Sequence, residues 1–190
     1  MRKRLFLAAG AVSALLSITA ALPAAAVTRD AATRGAVPAD AAPSATFLTA
    51  AGGMTGVTCT ASTLTFAPAT AANTFSITVW TFGSCTSNIK NVNSVKSVGV
   101  QNLPYTATVN PAAVPPTFTV TAGAAGNILF TFALNTSLGT VMCAYQPNGG
   151  AIAGTTNAAV TTVTFTSAQF NLTSGSALCP KNMFFSAAYA

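Results

Sequence analysis

Apolar and hydroxyl side chains alternate along Thr74-Phe75-Ser76-Ile77-Thr78-Val79-Trp80-Thr81-Phe82-Gly83-Ser84-Cys85. Phe75, Ile77, Val79 and Cys85 fall on one parity, and Thr74, Ser76, Thr78 and Ser84 on the other. Successive side chains of a strand point to opposite faces, so this period of two predicts a strand with one apolar and one hydroxyl face. Trp80 and Phe82 break the polar parity, which predicts that both faces become covered towards Cys85. The rest of the chain repeats this chemistry. Val57 and Cys59 share one parity while Leu64 and Phe66 share the other, a switch that predicts a bulge or bend near Ser62. Val92, Val95, Val98 and Val100 mark one or two short strands in a polar stretch. Phe118 with Val120, and Ile128, Phe130, Phe132 and Leu134, mark two more strands, with Leu129 facing away. Val141, Cys143 and Tyr145 share a face, and Pro147-Asn148-Gly149-Gly150 reads as a turn. Val163 with Phe165, and Phe170 with Leu172, predict two separate strands; Met183, Phe185, Ala187 and Tyr189 define the core face of the last.

About eight to ten short strands and no helical period predict an all-β fold. The expected architecture over residues 45–190 is a two-sheet antiparallel β-sandwich, with a β-barrel as the alternative.

Composition adds a compartment. Arg2-Lys3-Arg4, the Ala-rich apolar run Leu5 to Leu22 and the small residues Ala24-Ala25-Ala26 form the pattern of a signal peptide over 1–26. Its cleavage would leave no membrane-spanning segment. Residues 27–44 are rich in Ala and Pro and lack periodicity, so they read as a disordered tail or pro-segment. The four cysteines, Cys59, Cys85, Cys143 and Cys179, are even in number and contain no C-x-x-C pair. With no His in the chain, disulfides are favoured over zinc. Three connectivities exist for four cysteines. Strand parity favours the local one, Cys59–Cys85 and Cys143–Cys179. The chain therefore reads as a secreted bacterial protein, extracellular or attached to the cell surface.

Charge removes whole classes of function. Charged residues make up 5% of the chain, and the only acids are Asp30 and Asp40. Past residue 44 the charged side chains are Lys90, Lys96 and Lys181. A Ser-His-Asp triad cannot be assembled, and paired-carboxylate glycoside hydrolysis is excluded. Calcium or magnesium sites lack their carboxylates. No metal, cofactor or catalytic residue is expected, and three scattered lysines do not make a nucleic-acid surface. Ser87-Asn88-Ile89-Lys90 spells S-x-x-K but lacks the S-D-N and K-T-G partners of the enzymes that use it. Asn135-Thr136-Ser137 and Asn171-Leu172-Thr173 match the glycosylation sequon, which acts only in a eukaryotic secretory pathway.

Several short pieces resemble a group of small exported four-cysteine β-proteins of bacteria. They are Gly56-Val57-Thr58-Cys59-Thr60, Trp80-Thr81-Phe82-Gly83-Ser84-Cys85, Leu103-Pro104-Tyr105-Thr106, Gly139-Thr140-Val141-Met142-Cys143 and Phe185-Ser186-Ala187-Ala188-Tyr189. The group includes Ala/Thr/Ser-rich secreted proteins of actinobacteria and PraB-like activators of alkane oxidation. Where the pattern expects Leu-Pro-Trp, this chain has Leu103-Pro104-Tyr105. The resemblance implies an extracellular or surface-associated protein with links to hydrophobic substrates or biofilm, and transfers no catalytic residue.

Two functions remain in view. One is a non-enzymatic protein acting through its surface: surface-active, matrix-forming or self-assembling, with an apolar surface, the cell envelope or its own copies as partner. The other is a soluble module for a small apolar ligand. The candidate contact residues are Trp80, Phe82, Phe130, Phe132 and Phe184. A cavity beside Trp80, Phe82, Phe130 or Phe132 would favour the ligand; a filled core would favour the surface.

Overall fold

The computed structural model describes residues 37–42 and 44–190, with side chains from Ser44 onward. The expected signal peptide and the segment before Val37 lie outside the described residues. The described residues form twelve strands, in order β1 Val37–Ala42, β2 Ala45–Leu48, β3 Gly56–Pro68, β4 Thr74–Ser87, β5 Val92–Gln101 and β6 Tyr105–Asn110. Then come β7 Thr117–Thr121, β8 Leu129–Thr136, β9 Gly139–Pro147, β10 Ile152–Thr156, β11 Val163–Gly175 and β12 Asn182–Tyr189. The Pro147-Asn148-Gly149-Gly150 signal is met by a single 3-10 turn, Asn148–Gly150, with Gly149 at φ 75°.

The fold is all-β and every pairing is antiparallel, but the expected division into two sheets gives way to one continuous sheet. Its path β10-β7-β6-β4-β3-β2-β12-β11 closes into an eight-strand barrel where Thr155 and Thr156 of β10 pair with Thr164 and Val163 of β11. Val37–Ala42, expected within the disordered tail or pro-segment, instead forms β1, which continues the line of β2 along β3 from Ala42 opposite Ser62 to Val37 opposite Phe66. The second half of β11 then leads away through β9 and β8 to β5, which lies beside β4. The β3–β4, β2 and β12 region therefore serves two lobes, one completed by β6, β7 and β10 and one built out by β9, β8 and β5. Closure needs close approach: a Cβ on Gly154 of β10 would lie 2.6 Å from the Thr164 carbonyl oxygen and 2.8 Å from the Phe165 ring.

Bulges explain where the simple alternation breaks. Thr65 pairs with Val79 but Phe66 pairs with Ile77, so Thr78 is an extra residue in β4. The insertion reverses the faces, as a one-residue slip must. Phe75 and Ile77 point inward before it; Trp80 points inward after it, and Val79 is left exposed. The expected double-covered end of the strand is thus a change of face, with Val79 outside and Trp80 inside. In β3 the buried face passes from Val57 and Cys59 to Ser62, Leu64 and Phe66 across exposed Thr60 and Ala61, as the parity switch predicted, but the expected bulge near Ser62 is absent from the β3–β4 ladder, whose register runs unshifted from Val57 to Thr65. β11 is one strand rather than the expected two. A bulge between Phe165 and Ala168, with Ser167 at φ 50°, keeps both Phe165 and Phe170 inside. The three-residue spacing of Val92, Val95 and Val98 arises from two register shifts against β8. Each adds a residue and returns valine to the inner face.

Candidate functional site

The core where the shared strands meet β8 and β11 is built from aromatic rings. Phe47 of β2 sits between Phe132 at 4.9 Å, Phe185 at 5.0 Å and Phe82 at 5.2 Å between centroids. Phe130 meets Phe170 at 4.9 Å and Trp80 at 5.2 Å, while Trp80 stacks on Phe165 at 5.6 Å. These are contact separations for aromatic pairs, mostly edge-on. Four of the five candidate contact residues, Trp80, Phe82, Phe130 and Phe132, are therefore brought together, and the space between them is taken up by one another and by Phe47, Phe170 and Phe185. Phe82 keeps a partly exposed edge. Phe184 is separated from them: it lies on the opposite face of β12, half-buried, paired in register with Leu48.

Trp80 falls on the hydroxyl parity of Thr74–Cys85, and the Thr78 bulge turns it inward to 2% exposure. Its indole N–H donates to the Tyr189 hydroxyl at 2.9 Å, and that hydroxyl shares a 2.7 Å hydrogen bond with Ser62 Oγ. Three residues from β3, β4 and β12 thus satisfy each other inside an apolar cluster. Burial pushes the Tyr189 phenol up to about 12, partly offset by the Ser62 and Trp80 contacts. Burial also raises Tyr145, which donates to the Pro180 carbonyl at 2.9 Å. Tyr105 is raised by burial too; it donates to the Gln101 carbonyl and accepts from the Leu129 N–H at 3.0 Å. All three phenols stay protonated at neutral pH, so they act as hydrogen-bonding core residues rather than bases. The Ser62–Tyr189–Trp80 group was not legible in the sequence, since its members are far apart and each reads singly as a strand residue.

Both disulfides form in the local pairing, Cys59–Cys85 and Cys143–Cys179. The first joins residues directly opposite on β3 and β4. The second ties β9 to the connection between β11 and β12. The S-x-x-K stretch serves as a turn. Ser87 Oγ accepts from the Ile89 N–H at 3.1 Å, while the Asn88 side chain donates to the Met54 carbonyl at 2.8 Å and accepts from the Gly56 N–H at 2.7 Å. Asn135 and Asn171 of the sequons hydrogen-bond to Ser94 and Asn148 side chains. Among the described residues no three His, Cys, Asp or Glu side chains cluster.

The surface holds what the sequence reading passed over. Met54, Leu138 and Val114 are 89%, 86% and 98% exposed, and Met142 is 56% exposed. Met54 follows Gly52-Gly53, and Leu138 stands between Ser137 and Gly139, so a large apolar residue inside a turn sequence was the available signal. Among the described residues no helix is long and apolar enough to cross a membrane. No family model matches the chain, and no curated protein or solved structure is significantly similar to it.

Proposed function

We propose that this is a non-enzymatic extracellular protein that works through its surface, adsorbing to apolar or amphiphilic boundaries or to its own copies. The observation that carries the reading is the outer face of the barrel. Thr58, Thr60, Thr86, Thr108 and Thr164 stand outward where soluble β-proteins commonly place Lys and Glu, and three lysines are the only charged side chains past residue 44. A neutral hydroxyl surface repels copies of itself weakly, and exposed Met54, Leu138, Val114 and Met142 add apolar contacts. The two disulfides are compatible with export to an oxidising compartment. Contact packing of Trp80, Phe82, Phe130 and Phe132 weighs against the ligand-module alternative, because those rings occupy the ground a ligand would need. The resemblance to surface-associated exported proteins points the same way.

Pendant-drop tensiometry against hexadecane, beside sedimentation at rising concentration, tests the reading. A greater fall in tension than a globular control gives, or concentration-dependent assembly, is expected. A monomer that lowers tension no further than the control overturns it.

A further inference from the structure

Antiparallel alternation in the lobe containing β5, β8 and β9 brings four connections to one end: 49–55, 88–91, 137–138 and 176–181. Asn88 clamps the first two together through Met54 and Gly56. Exposed Met54 and Leu138 belong to two of these turns, and exposed Lys90 and Lys181 to the other two. The opposite end carries 69–73, 111–116 and 157–162, which hold no charged side chain and one large exposed apolar residue, Val114. Apolar and cationic side chains therefore coincide at one end of a body that has no Asp or Glu from residue 44 onward.

We propose that the four-turn end docks on an anionic lipid bilayer, with Met54 and Leu138 entering the headgroup layer and Lys90 and Lys181 set against the phosphates. Each half of this pairing has its own physics. Apolar tips leave water when they enter the interface, and lysines are drawn to the negative surface potential within a Debye length. From residue 44 onward no carboxylate side chain opposes either half. The inference rests on the surface-acting reading and gives that surface a place and a partner.

Flotation with phosphatidylcholine vesicles, with and without phosphatidylglycerol, tests it on the chain recovered from an exporting host, with every variant in the same form. Binding to the phosphatidylglycerol vesicles is expected and should weaken as salt rises. Lys90→Gln with Lys181→Gln should weaken it by about tenfold or more, and Met54→Ser with Leu138→Ser by a similar factor. Val114→Ser at the far end is the control and should leave binding unchanged. All five side chains are exposed, so melting temperatures should match and a folding failure would be visible. Equal binding to both vesicle types, or unchanged binding in both double variants, overturns the proposal. Protein that lowers hexadecane tension but ignores vesicles overturns the lipid face alone; protein that does neither overturns the surface-acting reading as well.

Discussion

On one side of the shared strands, β6, β7 and β10 complete a ring of backbone hydrogen bonds. On the other, β9, β8 and β5 leave β11 and end beside β4, and among the described residues β5 is the last strand of the paired path. Cys143–Cys179 ties β9 of this second side, Cys59–Cys85 joins the shared strands β3 and β4 towards the same side, and neither disulfide reaches β6, β7 or β10. There the Phe66, Phe75 and Phe118 rings fill the interior at 5.5 to 6.5 Å. The two sides are held together by different means. A ladder that meets itself needs no covalent tie, because each strand is held on both sides. A lobe that ends in a strand edge is open to fraying, and cross-links hold its strands in the unfolded chain as well as in the folded one. The unpaired edge is also shaped against unwanted pairing, since β5 carries two bulges and the exposed Lys96.

Phe130 contacts Phe47, Trp80, Phe82, Phe170 and Phe185, so Phe130→Ala should cost about 4 kcal/mol. Phe118, with fewer aromatic neighbours in the ladder-closed lobe, should cost about 3 kcal/mol when cut to Ala. Denaturant melts decide, and a larger loss at Phe118 would reverse the assignment of the main core.

The staples come next. Separations of 26 and 36 residues predict about 3–4 kcal/mol for each disulfide in the chain-entropy model. Cys143→Ser with Cys179→Ser should raise amide exchange in β8 and β9 while leaving β6 and β7 protected. Uniform exchange across both lobes would show that they unfold as one unit and that the disulfides hold neither in particular.

Alkali provides a third probe. The phenol of Tyr189 ionises near 10 when unfolded and near 12 when folded, so above pH 10 the unfolded chain has lost a proton that the fold retains. Stability is fully present below pH 10 and falls as pH rises towards 12, by about 2–3 kcal/mol for this residue alone. Tyr105 and Tyr145, raised by burial in the same direction, steepen the fall. Melting temperature and phenolate absorbance should therefore change together; phenolate appearing in the intact fold would contradict the buried assignment.

Removing the hydroxyl separates that burial from its hydrogen bonds. Tyr189→Phe leaves the Trp80 N–H and Ser62 Oγ unpaired and should cost about 2 kcal/mol. Ser62→Ala with Tyr189→Phe should cost little more, because only the Trp80 N–H is then left without a partner. Additive losses would mean that the two do not act as a pair. The smallest effect is expected between pH 4 and 8, where nothing past residue 44 except the terminal carboxyl titrates. A melting temperature that moves strongly across that window would point to Asp30 or Asp40 in the N-terminal segment.

Much of this was legible in the residues. Period-two alternation gave the strands, and the inner faces of β7, β8, β9 and β12 are those read from the sequence. Parity gave the disulfide pairing, and the Val57/Leu64 switch gave the change of buried face in β3. These features are local, since a strand's two faces follow from backbone geometry and from which side chains avoid water. What tertiary structure alone decided is the partner of each strand and the residue at which a face reverses. Whether Thr78 is paired or bulged depends on the register of β3 across from it, so the inward turn of Trp80 could not be read from Thr74–Cys85 by itself. Closure of the sheet rests on Gly154 lying against Phe165, two residues of separate strands whose contact exists only once β7 and β11 have placed them. The gathering of Met54, Leu138, Lys90 and Lys181 at one end is of the same kind: local sequence supplied the turns, and antiparallel order put them side by side.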